Sequence, residues 1–248
     1  MIKLNIRSGL MAVAFAAAMT GPALADSHEG DGWDIPGEFS ANVALSTDYR
    51  FRGISQTDNG PAIQGGFDWS HESGVYLGTW ASNIDFSESI EIDYYGGITN
   101  TVNGVTYDIG VMYYTYPSAD DDFAEFNYVE FYGSLGVEVN TVEVAVDLAF
   151  SPDFFAESDN AWAYGGTVAV PIPNLEGFKL SGGFHRQDVK DNAAFGIKDY
   201  FFWDVGIGWT WKGLDFDIRY VDTDLKKSEC GGTEICEAQA VFTLSKSF

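Results

Sequence analysis

Charged residues recur in this chain one at a time, each set between apolar neighbours. Asp68, Asp93, Asp108, Glu130, Asp147, Asp204 and Asp217 all stand so, as do Arg50 and Arg219, with Arg52 two residues beyond Arg50. In an extended chain every second side chain points the same way, so these charges share one face of their segments. Gathered around an axis, such a face selects ions rather than breaking bonds. Acids concentrate cations, and Arg50 and Arg52 opposite acids would set a transverse field at a constriction. A salt-bridge network that stiffens a wall is the alternative use of the same two arginines. Inward Tyr95, Tyr114, Tyr128 and Tyr132 offer a stacking track for a sugar or an aromatic solute, or simply pack a narrow interior.

Catalytic chemistry has a thinner basis. The histidines are His28, His71 and His185; only His185 sits at an expected external strand end, with Asp188 and Asp191 in the loop after it and Ser181 four residues before it. A hydrolase needs a nucleophile poised against such a base. No nucleophile motif flanks Ser181 or His185. The acidic runs Asp120-Asp121-Asp122 and Asp222-Thr-Asp224 offer hard oxygen ligands, yet without the ordered spacing of a cation site. They read as solvated charge, so no metal and no cofactor is expected. Cys230 and Cys236 enclose Gly-Gly-Thr-Glu-Ile, a loop that an oxidising compartment would close as a disulfide.

The elements that must position these charges are strands. From Phe39 the pattern has period two: Phe39, Ala41, Val43, Leu45, Thr47 and Tyr49 alternate with Ser40, Asn42, Ala44, Ser46, Asp48 and Arg50. The chain closes in the same way, with Phe242, Leu244 and Phe248 on one face and Thr243, Ser245 and Ser247 on the other. Between these ends the alternation predicts about twelve strands, centred near residues 44, 66, 78, 94, 110, 132, 146, 167, 181, 206, 217 and 243. Short connections at 71–74, 100–104, 139–141, 171–177 and 212–213 alternate with longer ones at 51–60, 117–126, 151–161, 186–199 and 222–237. The segment 83–89 is intermediate. One face of the set carries a single charge, Lys246. Trp69, Trp162, Trp203, Trp209, Trp211, Phe178 and Tyr220 gather at that face's strand ends, as in interfacial girdles. The phase of the third strand is open, with either Val75 and Leu77 or Tyr76 and Trp80 outward. The expected fold is all-β: an up-and-down antiparallel transmembrane barrel over residues 39–248.

Residues 1–25 have the basic start, short apolar run and small-residue cleavage site of a secretory signal, and 26–38 form a polar lead-in. Removing the signal takes Lys3 and Arg7 and no acid, leaving 11 basic residues against 37 acidic and a net charge of −26. That balance argues against nucleic acid as a partner. Beyond the signal no apolar run reaches the roughly 18 residues of a membrane helix. Entry into a membrane then requires a closed barrel, since closure pairs every backbone group.

Ser46-Thr-Asp-Tyr-Arg-Phe-Arg-Gly-Ile-Ser-Gln-Thr57, Pro61-Ala-Ile-Gln-Gly-Gly-Phe67 and Gly78-Thr-Trp-Ala-Ser-Asn83 resemble the start of the TorF-type porin family of proteobacteria. The similarity runs through the mature chain. It implies a pore-forming outer-membrane barrel, and it brings neither a substrate nor catalytic residues. The function expected is a narrow, cation-preferring channel for passive diffusion of small solutes in a Gram-negative outer membrane. A non-conducting structural or adhesin barrel acting through its loops is the alternative. Expected partners are outer-membrane lipid, lipopolysaccharide, and the barrel assembly machinery reading the strand that ends at Phe248. Oligomeric state and solute stay open.

Overall fold

The structure, a computed structural model, describes residues 35–86, 88–117 and 125–248. The alternating segments are strands: β1 (Glu38–Ser46), a small hairpin of β2 (Arg50–Phe51) and β3 (Ile54–Ser55), then β4 (Ala62–Ser70), β5 (Val75–Phe86), β6 (Glu88–Val102) and β7 (Val105–Thr115). There follow β8 (Tyr128–Val139), β9 (Val142–Ser151), β10 (Ala161–Pro171), β11 (Phe178–Val189), β12 (Tyr200–Trp211), β13 (Leu214–Thr223) and β14 (Gln239–Ser247). Apart from the hairpin, each pairs antiparallel with its chain neighbours, and β14 pairs back onto β1 to close a twelve-stranded barrel. No described helix is long and apolar enough to cross a membrane.

Closure leaves no free edge, and the alternation then decides what faces out. Ile63, Phe67, Ile109, Phe184 and Ile218 are among the large apolar side chains more than half exposed on the exterior. Among soluble proteins so continuous an apolar surface is an aggregation hazard, whereas in hydrocarbon it is the favourable face. The third strand's phase is resolved: Val75 and Leu77 are exposed, while Trp80 is buried and the Tyr76 hydroxyl bonds Asp108 inside. Tight turns join strands at one end through left-handed residues, Asn103-Gly104 between β6 and β7 and Lys212-Gly213 between β12 and β13. Positive φ at both positions suits the right-handed twist of the flanking strands. Both described chain ends lie here, so this is the turn end; the opposite end carries the longer loops.

Three boundaries differ from the sequence reading. β1 stops at Ser46, whose hydroxyl donates to the Asp48 carbonyl at 2.7 Å, and the chain turns inward there. Tyr49, expected on the outer face, is therefore buried inside. The connection at 83–89 almost vanishes, because β5 continues through a bulge to Phe86 and β6 begins at Glu88. β11 runs on to Val189 and takes Arg186 and Gln187 out of the expected loop. The secretory signal, His28, most of the lead-in and Asp120 to Asp122 lie outside the described residues.

The seam is the shortest pairing around the ring, with five registered pairs from Asn42↔Ser247 to Ser46↔Thr243. Two backbone hydrogen bonds between Ala41 and Phe248, at 3.2 and 2.8 Å, extend it to the last residue. Deleting Phe248 removes both and is expected to slow refolding into lipid vesicles, read as a slower rise of the heat-modifiable band on gels.

Candidate functional site

The interior is built by a recurring arrangement along the hydrogen-bond register. A polar or aromatic side chain on one strand lies across an inward glycine on the next and reaches a partner on the strand beyond. Tyr95 on β6 crosses Gly78 on β5 and donates to Asp68 on β4. Tyr76 on β5 and Tyr132 on β8 meet at 2.6 Å across Gly97 and Gly110, and Tyr76 also donates to Asp108 at 2.6 Å. His185 on β11 crosses Gly165 on β10 to reach Asp147 on β9, with Nε2 at 3.1 Å from the carboxylate. Arg219 on β13 crosses Gly206 on β12, donates to Ser181 on β11 at 2.9 Å, and also holds Asp204 and Asp217. At Gly78, Gly97, Gly110 and Gly165 a Cβ would overlap the side chain lying over it. Glycine here lets rings and charges lie flat on the wall instead of filling the lumen.

The two ends of the interior differ. Toward the turn end, Asp68, Asp108, Glu143, Lys179, Asp204, Asp217 and Arg219 are only partly buried. Lys179 pairs with Glu143 at 2.9 Å with more than a third of each side chain exposed. Toward the loop end the lumen is filled. Tyr49, Trp80, Ile84, Met112, Tyr114, Tyr116, Tyr128, Phe154 and Val189 form one buried cluster, with Phe51, Phe86 and Phe155 against it. Tyr114 and Tyr128 stack at 4.3 Å.

The first loop, residues 47–61, makes this seal. Its hairpin enters the barrel from the β1–β4 side and carries Arg52 across to the far wall. There Arg52 pairs with Glu130 on β8 at 2.7 Å and donates to Gln187 on β11 at 2.8 Å, almost fully buried. Tyr49 donates to Glu91 on β6 at 2.7 Å. Asp48 organises the loop itself, accepting from Arg50, Ser55 and Thr57 at 2.6 to 3.0 Å. Arg50 then ties the loop to the last one, residues 224–238, through the carbonyls of Ile235 and Glu237 at 3.0 and 2.9 Å. Cys230 and Cys236 are disulfide-bonded in that last loop and packed against Ile54, Tyr200 and Phe202. Beneath the hairpin lies Asp93, fully buried, with neither carboxylate oxygen hydrogen-bonded to a described residue.

Two expected outcomes follow from this packing. Glu130→Ala leaves the Arg52 guanidinium buried without its counter-charge, a change that costs about 3–5 kcal/mol; urea unfolding of the detergent-folded barrel measures it. Cys236→Ser opens the cross-link between cysteines six positions apart and is expected to cost about 2 kcal/mol through greater freedom of the unfolded loop, read by the same assay.

The model of the family described as "Bacterial protein of unknown function (Gcw_chp)" matches residues 31–248. The chain belongs to this family. No curated protein matches it. Among solved structures, the Gcw_chp chain is similar to the KdgM porin, with TM-score 0.58, 8% identity, and 84% of this chain and 98% of that one covered. KdgM porin in complex with disordered oligogalacturonate gives TM-score 0.57 at 8% identity, over 84% and 98% of the two chains. The NanC porin gives 0.54 at 7%, over 85% and 98%. These likenesses establish the fold.

In the Gcw_chp barrel the residues singled out from sequence divide into two groups. Asp68, Asp108, Asp204, Asp217 and Arg219 line the part-open turn end. Asp93, Glu130 and Asp147 lie buried toward the loop end, Glu130 and Asp93 under the first loop. Arg50 and Arg52 are not on the first strand as expected: the chain leaves β1 at Ser46, so they ride the inserted hairpin, one tying loops together and the other crossing the lumen. The tyrosine track is likewise divided, Tyr95 and Tyr132 flat on the wall and Tyr114 and Tyr128 stacked in the seal. Ser181 and His185 have separate partners, Arg219 and Asp147, so they form no nucleophile–base pair. Sequence reasoning missed the inward hairpin and Gln187. The signal for the hairpin was Arg-Phe-Arg-Gly, where alternation breaks at Gly53.

Proposed function

We propose that this protein is a diffusion pore of a Gram-negative outer membrane for small solutes, narrow and cation-preferring, with its first loop as the constriction. The observation that carries it is an apolar exterior closed around an interior whose turn-end half is lined by part-exposed charges. A solid structural barrel gains nothing from keeping such groups wet. The fold shared with KdgM and NanC porins and the resemblance of Ser46–Thr57 to TorF-type porins support the same reading.

Charge supports the preference. Five acids, Asp68, Asp108, Glu143, Asp204 and Asp217, line the part-open lumen with two bases, Lys179 and Arg219, paired to three of them along the wall, and low-dielectric walls focus the resulting negative field. The seal suits a gate, because the loop that fills the loop end is tied to the barrel wall by the Arg52 side chain, through Glu130 and Gln187, and by Tyr49 to Glu91. Insertion would place the loop end outward against lipopolysaccharide, with the Phe248 strand as the signal for barrel assembly. None of the interior pairs is assigned a catalytic step.

Ion flux into proteoliposomes tests the reading. Sodium entry well above chloride entry is expected, with the ratio reduced in Asp68→Asn/Asp108→Asn; anion entry equal to or above sodium would overturn the preference. A sealed structural barrel is the second reading, favoured by the dense packing of the first loop, and predicts no flux of either ion.

A further inference from the structure

The two walls of the turn-end vestibule are chemically unlike. Over β4 to β8, Tyr95, Tyr76 and Tyr132 lie across Gly78, Gly97 and Gly110, so each ring rests on the wall there, and Tyr95 and Tyr132 also pack against the aromatic cluster of the seal. All three rings are half-buried. Tyr95 and Gly97 are two residues apart on β6, so the rings tile adjoining positions of one surface. Asp68 and Asp108 are set into it. Each is bonded by a neutral tyrosine hydroxyl, and neither has an ion pair among the described residues. Over β9 to β13 the acids named above do face bases: Glu143 has Lys179, and Asp204 and Asp217 share Arg219. Negative charge without an ion-pair partner and part-exposed aromatic rings therefore coincide on one wall.

We propose that this tyrosine–aspartate wall binds organic ammonium cations, solutes whose positive nitrogen is carried on apolar carbon. Ring faces attract a cation through their quadrupole, most strongly one that sheds water easily. A sodium ion holds its hydration shell and gains little from a ring. An alkylammonium group presents a diffuse charge and apolar surface together, matching the rings with its methyl groups and the two carboxylates with its charge. Tyrosine hydroxyls turned toward Asp68 and Asp108 keep those acids oriented without neutralising them. The proposal rests on the pore reading for its biological sense, though binding itself does not require conduction.

Choline is the probe. It is titrated by calorimetry into the full chain folded in detergent, against sodium chloride at equal ionic strength, and added at the turn end during recordings of sodium current. Saturable binding and reversible block are expected, weakened at least about tenfold in Tyr95→Leu/Tyr132→Leu and unchanged in Tyr94→Leu, whose side chain faces outward on the same strand. Should the double leucine variant fail to fold, Tyr95→Phe/Tyr132→Phe keeps the ring faces and is expected to bind choline within about threefold of the parent, while Asp68→Asn/Asp108→Asn weakens it. A barrel that passes sodium but binds choline no better than sodium overturns this inference and leaves the pore. Tyrosine-dependent choline binding by a barrel that passes no ion upholds the site and overturns the pore. Neither binding nor current overturns both.

Discussion

Excising residues 50–56 and joining Tyr49 to Thr57 through two glycines is expected to raise single-channel conductance several-fold. The ends are already close, since Gln56 N donates to the Tyr49 carbonyl at 2.7 Å and Tyr49 N to the Thr57 hydroxyl at 3.1 Å. The excision removes Phe51 from the aromatic cluster and withdraws the Arg52 bridge to Glu130 and Gln187. It also uncovers Asp93 and Glu130, so the larger current should be more cation-selective as well. The small β2–β3 hairpin goes, but the twelve barrel strands are untouched, and their ladders hold the wall without the loop. Planar-bilayer recording of the shortened and parent chains side by side reads the effect. Equal conductance would mean that the constriction lies elsewhere.

Gly165→Val is expected to be the most damaging glycine substitution in the wall. A side chain there meets the His185 ring and the Phe184 carbonyl, so His185 must leave its place over β10. Asp147 then loses the partner that satisfies its Oδ1, and its Oδ2 already has none. An uncompensated buried charge costs about 3–5 kcal/mol. Gly133→Val on β8 is the control, because a Cβ there meets only the Asp108 carbonyl at an ordinary 3.6 Å. Urea unfolding of both variants in detergent should show a large loss for Gly165→Val and a small one for Gly133→Val. Similar losses would mean that glycine matters for strand curvature alone and not for the crossing ring.

What was legible in the sequence is what period-two alternation encodes. Strand existence and the outward face follow from whether residues such as Val43 or Ile218 keep phase along a segment, and short connections alternate with longer ones except at 83–89, where the connection nearly vanishes. The glycines of the wall are plain in the sequence, but their role needs three strands together: Gly165 has meaning only beside His185 on one side and Asp147 on the other, 20 and 18 residues away. The inserted loop was harder still. Asp48, Tyr49 and Arg50 continue the alternation of β1 without a break, so local pattern extends the strand. What turns them inward is tertiary, the reach of Arg52 to Glu130 and of Tyr49 to Glu91, 78 and 42 residues on. The phase of β5 was undecidable for a related reason. Tyr76 and Trp80 are apolar enough to face lipid, and only the hydroxyl's partner at Asp108 and the cluster around Trp80 draw them inside.

Single-channel recording of the full chain, refolded and inserted in a planar bilayer under a salt gradient, tests most directly whether this barrel is a loop-constricted, cation-preferring pore. Small discrete steps with a cation-selective reversal potential, interrupted by closures that disappear when residues 50–56 are excised, are predicted. A verified folded barrel that stays silent both with and without those residues would contradict it.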